Sequence, residues 1–170
     1  MLPESSEPNL NVKCYEINHE ALYHDLMLFA DYVRLTYKEK PRLFGVPRGG
    51  LIIAGHLAHI LDIKEILACP VSLMPLMRNL MKPTDLIVED IYDSGKTYRE
   101  IREYVWPEVR VVSLYCKRDY PEDCEGQSQF IRSLDVAPDT FVLFPWEKMA
   151  YEYYEKFKHN RFVQGWWAQS

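Results

Sequence analysis

The chain has 170 residues, 48% of them hydrophobic, 14% aromatic and 26% charged, a profile that excludes disorder and supports one packed domain. Twenty Lys plus Arg against 25 Asp plus Glu give a formal charge of -5, the wrong sign for coating nucleic acid with a basic field. No run of about 18 apolar residues is present to make a transmembrane helix, and the start MLPESSEPNLNVKCYE does not resemble a secretory signal, so a cytoplasmic protein is expected. Cys14, Cys69, Cys116 and Cys124 are scattered without a Cys-x-x-Cys pair and read as buried, reduced thiols.

In chain order, residues 1–11 mix Pro, Ser, Asn and Glu without periodicity and read as a loose leader, leaving residues 12–170 as a single domain. Leu22, Leu26, Phe29, Val33 and Tyr37 recur at helical spacing behind a capping Asn18, which predicts a helix from Asn18 to Tyr37. A short strand follows from Arg42 to Val46. The stretch Gly50 to Leu61 is apolar around most of its circumference, as in a helix packed between two layers. Apolar runs from Glu65 to Leu73 and Asp85 to Ile91 flank MPLMRNLMKPT, which lacks strong periodicity and reads as a loop. Tyr98, Ile101, Tyr104 and Val105 mark a helix closed by Pro107. Val109 to Cys116 and Thr140 to Phe144 are further strands. The end, Lys148 to Ser170, carries Tyr151, Tyr153, Tyr154, Phe157, Phe162, Trp166 and Trp167. It reads as a terminal helix on the core, with a sheet edge, a subunit contact or a membrane interface as alternatives. Strands alternating with helices predict an α/β fold whose function sits at the carboxyl ends of a mostly parallel sheet.

The most informative stretch is DLIVEDIYDSGKTY, Asp85 to Tyr98, where an apolar strand meets two adjacent acids and then Asp-Ser-Gly-Lys-Thr at a helix start. Glu89 and Asp90 suit the hydroxyls of a sugar or the shell of a hard divalent cation. The amides from Ser94 to Thr97 suit a phosphate, assisted by the helix dipole. A nucleoside-triphosphate P-loop is excluded, because Asp90 stands where that motif needs its first Gly. His56 and His59, three apart on an apolar helix, read as boundary histidines because no third ligand accompanies them.

The stretch VEDIYDSGKT resembles the signature of type I phosphoribosyltransferases, particularly the hypoxanthine-guanine version. GVPRGG, Gly45 to Gly50, resembles that family's pyrophosphate loop as it occurs in bacterial xanthine-guanine phosphoribosyltransferases. DTFVLFPWE, Asp139 to Glu147, resembles the base-binding hood of the same enzymes. In isolation, GVPRGG also reads as a turn with an exposed Arg, Phe141 as core packing and Lys117 as a solvated strand end.

The resemblance implies a type I phosphoribosyltransferase-like α/β fold, a mostly parallel sheet flanked by helices with a small hood. It implies transfer of a phosphoribosyl group from phosphoribosyl pyrophosphate to a 6-oxopurine (guanine, xanthine or hypoxanthine) in purine salvage, with release of pyrophosphate. Asp93, Ser94, Gly95, Lys96 and Thr97 would hold the 5-phosphate, Arg48 and Gly49 the pyrophosphate, and Lys117, Phe141 and Val142 the purine. Glu89 and Asp90 would face the ribose and a magnesium ion, and Asp93 would share the proton on purine N7. A homo-oligomer, dimer or tetramer, is implied. A non-catalytic sensor of the same ligands, or an enzyme acting on another base, remains an alternative. The family's mobile loop would fall at Met74 to Thr84, shorter and more apolar here, with Arg78 and Lys82 as its cations.

Overall fold

The computed structural model describes residues 13–117 and 128–157. They belong to two compact units, a larger one of residues 22–138 and a smaller one built from residues 13–21 and 139–157 of those described. The leader, Cys124, Phe162, Trp166 and Trp167 lie outside the described residues.

The first helix, α1 (His19–Thr36), starts where the sequence places it, with the Ala21 amide donating to the Asn18 side-chain oxygen at 2.8 Å. Its Leu22, Asp25, Leu26, Phe29 and Val33 are buried. The larger unit then runs β2 (Leu43–Gly45), α2 (Gly49–Leu61), β3 (Ile66–Ala68), β4 (Leu86–Tyr92), α4 (Lys96–Arg102), β5 (Arg110–Lys117) and β6 (Ser128–Leu134). Their five strands form a sheet in the order β3-β2-β4-β5-β6, with every pair parallel. From β2 the chain crosses through α2 to β3 on one side; from β4 it crosses through α4 to β5 on the other. The loops leaving β2 and β4 therefore part company, and the crevice between them is the position at which open α/β sheets bind ligands. On α2, Ile53, Ala54, Leu57 and Ala58 are buried but His56 and His59 are exposed, so the helix buries one stripe rather than its full circumference.

The segment expected to be a loop, Met74 to Thr84, is instead partly wound into short helical turns, α3 (Met74–Met77) and Arg78–Leu80, and the end of the apolar run before it forms another, Val71–Leu73. Met74, Met77 and Met81 lie in the core with Phe44, Ile87, Tyr98, Ile101 and Val111. The Arg78 guanidinium stacks on Trp106, 4.3 Å from the ring centre. At the far end Arg42 donates to the Leu80 carbonyl at 2.8 Å, and the buried Asp85 accepts from Arg42 and from the Lys82 amide, each at 2.6 Å. Arg78 is thus occupied by an aromatic partner. Strand β6 escaped the sequence reading because SQFIRSL alternates too weakly to stand out.

In the smaller unit β1 (Cys14–Glu16) pairs in parallel with β7 (Phe141–Leu143), Cys14 opposite Phe141. Helix α5 (Pro145–Phe157) follows at once. Pro145 occupies the first helical position, where its missing N–H is no loss, and the Glu147 carboxylate reaches back to accept from the Phe144 amide at 3.0 Å. Cys69 and Cys116 are buried as expected, whereas Cys14 is exposed.

Candidate functional site

The two turns singled out in the sequence leave adjacent parallel strands. After β2 the Val46 amide donates to the Val88 carbonyl of β4 at 2.9 Å, and the Leu51 amide returns to the Val46 carbonyl at 3.1 Å. The turn between them carries Pro47 and Arg48, joined by a cis peptide bond, with the Arg48 side chain exposed. Gly49 sits so close to β4 that a Cβ there would fall into the Asp90 carboxylate. Only glycine lets the opening of α2 approach this acid.

Beyond Tyr92 the chain turns through Asp93 and Ser94 into α4. Gly95 takes a φ of 74°, a left-handed conformation that glycine adopts without strain. The Ser94 carbonyl accepts from Arg99 at 3.1 Å and its hydroxyl from the Lys96 amide at 3.4 Å. Glu89 and the residues from Ile91 to Thr97 line a single open pocket. Arg48, Gly49, Glu89, Asp90, Asp93, Ser94, Gly95, Lys96, Thr97 and Lys117 all belong to the larger unit. Phe141 and Val142 belong to the smaller, Phe141 exposed and Val142 buried.

The two acids differ sharply in surroundings. Glu89 is only 6% exposed and its carboxylate accepts from the Ser113 hydroxyl at 3.0 Å. Burial pushes its pKa up to about 7, the Asp90 charge adds to the rise, and hydrogen bonds from Ser113 and Thr97 oppose it. Asp90 is half-buried, beside Gly49. Farther along, Lys117 at the end of β5 forms an ion pair with Asp93 at 2.9 Å, the lysine side chain 9% exposed and the aspartate 55%. The two residues expected to face a purine therefore face each other across the ends of β4 and β5.

Sequence reasoning missed Ser113 as a member of this site. Its signal was available: a lone hydroxyl in the apolar run RVVSLYCK, which the strand register sets opposite Glu89. It also assigned Thr97 to phosphate alone, whereas in the structure Thr97 also acts on Glu89, opposing the rise in that acid's pKa.

Taken together, these groups supply two glycine turns with amides suited to anions, a buried and a half-buried carboxylate between them, and an adjacent acceptor and donor. Among the described residues no group of three or more His, Cys, Asp or Glu is gathered around a common point.

No family model matches the chain. It is 29% identical over 127 residues to the xanthine-guanine phosphoribosyltransferase of Idiomarina loihiensis, covering 67% of this chain and 75% of that one. It is 32% identical over 123 residues to the Vibrio vulnificus strain YJ016 protein of the same name, covering 66% and 75%. Its fold matches the Helicobacter pylori xanthine-guanine-hypoxanthine phosphoribosyltransferase with a TM-score of 0.64 at 19% identity, over 83% of this chain and 98% of that one. With the signature turns in family order on a parallel sheet of the same fold, the chain belongs to the type I phosphoribosyltransferases and resembles their bacterial xanthine-guanine branch.

Proposed function

We propose that the protein transfers the phosphoribosyl group of phosphoribosyl pyrophosphate to a 6-oxopurine in purine salvage, releasing pyrophosphate. The observation that carries this reading is the approach of the two turns: the Gly49 turn lies directly against Asp90, whose own strand runs on into the Asp93 to Thr97 turn. A sugar bearing phosphates at two positions can span such a crevice, its 5-phosphate on the amides from Asp93 to Thr97 and its pyrophosphate at Arg48 and Gly49.

The difficult moment of the reaction is separation of charge at the anomeric carbon, so preorganised dipoles and charges carry most of the catalysis. Asp90, half-buried beside the pyrophosphate turn, is the carboxylate that suits the shell of a magnesium ion; Glu89, closed in by Ser113 and Thr97, suits a ribose hydroxyl. A donor set this small fits an ion held largely by substrate oxygens. Bound magnesium would supply neutralisation of the departing pyrophosphate charge.

The Asp93–Lys117 pair supports a 6-oxopurine. The N7–H and 6-oxo groups of such a base set a donor beside an acceptor, the complement of a carboxylate beside an ammonium. Adenine would oppose its amino group to the lysine. Asp93, freed from Lys117 by the incoming base, would take or share the N7 proton, help worth on the order of a hundred- to ten-thousandfold. A stacking role for Phe141, with main-chain contacts from Val142, completes the proposal, as does assembly into a dimer or tetramer.

The packed segment from Val71 to Met81 favours a second reading, a ligand sensor that binds phosphoribosyl pyrophosphate without turnover, because its Arg78 is already engaged by Trp106. Pyrophosphate release measured with magnesium, phosphoribosyl pyrophosphate and a panel of guanine, xanthine, hypoxanthine and adenine separates the two. The enzyme reading expects release with at least one 6-oxopurine, none with adenine, and a fall of at least a hundredfold in Asp93→Asn. Donor binding without release from any base would leave the sensor.

A further inference from the structure

We propose that Ser113 is a positioning residue that fixes the Glu89 carboxylate toward the phosphoribosyl group, an inference that rests on assigning this site to that group. Ser113 is 3% exposed, in the middle of β5 between Val112 and Leu114, which are fully buried. A hydroxyl there is unfavourable unless it is bonded, and an apolar side chain would fill the strand as well. Its bond is to Glu89 Oε2, 3.0 Å away, and the strand register places the two residues side by side.

Glu89 cannot choose its own orientation by turning to water, since only 6% of it is exposed. The hydroxyl within bonding distance is that of Ser113, which stands on the neighbouring strand and not in the turn assigned to the 5-phosphate. Ser113 thus secures one carboxylate oxygen whether that turn is empty or filled and leaves the second to the sugar hydroxyls. Hydrogen bonds to a charged acceptor are the strong ones, and an acid held off its productive angle loses transition-state contacts more than ground-state binding.

The test is a double-mutant cycle in the full chain, reading pyrophosphate release with magnesium, phosphoribosyl pyrophosphate and the best purine of the panel. Ser113→Ala is expected to lower kcat about tenfold, leave the KM for the purine unchanged, and regain most of the loss in Ser113→Thr. In a Glu89→Gln background the same Ser113→Ala change is expected to have no further effect. If Ser113→Ala fails to fold, Ser113→Cys, similar in volume and a poor donor, takes its place in the cycle. An unchanged kcat, or an equal loss with and without Glu89, overturns the proposal while leaving the site assignment standing. A wild-type protein that releases pyrophosphate with none of the bases overturns the enzyme reading, and this inference with it; one that also fails to bind phosphoribosyl pyrophosphate removes the site assignment as well.

Discussion

Burial and the Asp90 charge raise the Glu89 carboxyl from its ordinary 4.5 to about 7, against the pull of the Ser113 and Thr97 hydroxyls. Because the folded value lies above the unfolded one, this group's contribution to stability is fully present below about 4.5 and is lost as the pH rises through about 7. The ligand-free protein is therefore expected to lose on the order of 3 kcal/mol from this one group across that window, and Glu89→Gln to flatten the loss. Urea unfolding of both proteins at several pH values checks it; parallel pH profiles would count against a buried, titrating Glu89. Asp25 is another buried acid. It is 2% exposed, yet accepts from Tyr115 at 2.9 Å and pairs with Arg132 at 3.3 Å. Its burial was legible in the sequence, since it falls on the stripe of Leu22, Leu26 and Phe29; its partners on β5 and β6 were not, being about 90 and 107 residues away in the chain.

At the scale of elements, the strands and helices with strong apolar periodicity stand where the sequence puts them, and Asn18 marks the start of the first helix, whereas α5 begins at Pro145, ahead of the terminal segment expected from Lys148. The segment from Val71 to Leu80 does not follow its local sequence. MPLMRNLM has no helical stripe of its own, and its turns form because Met74, Met77 and Met81 find a core supplied by β2, β4 and α4. The clamp at its far end is the Arg42–Asp85 pair, the acid 1% exposed and the guanidinium side chain 21%. Asp85→Ala leaves Arg42 and the Lys82 amide without their acceptor, and removing one partner of a buried pair typically destabilises by about 3–5 kcal/mol. A loss near the lower figure is expected, together with faster amide exchange from Val71 to Leu80. Exchange confined to other regions would show that the clamp does not hold this segment.

At the scale of the molecule, the reversal of strand order between β2 and β4 makes one crevice of two distant motifs. A ligand that spans it should stabilise the fold more than its fragments do, because binding the second end is intramolecular. With magnesium present, phosphoribosyl pyrophosphate at 1 mM, taken as on the order of 100 times its Kd, is expected to add about 3 kcal/mol, and ribose 5-phosphate or pyrophosphate alone at the same concentration clearly less. Thermal shift measurements decide this, and equal shifts from donor and fragments would mean that the turns do not share a ligand. The sequence by itself determined the chemistry of each turn, since amides at a glycine-bearing helix start and adjacent acids at a strand end act through local geometry. The tertiary structure decided what those groups meet: that Gly49 lies on Asp90, that Lys117 pairs with Asp93, and that Ser113 holds Glu89. These are contacts between strands far apart in the chain, fixed by sheet order and register, and no local pattern of residues encodes either.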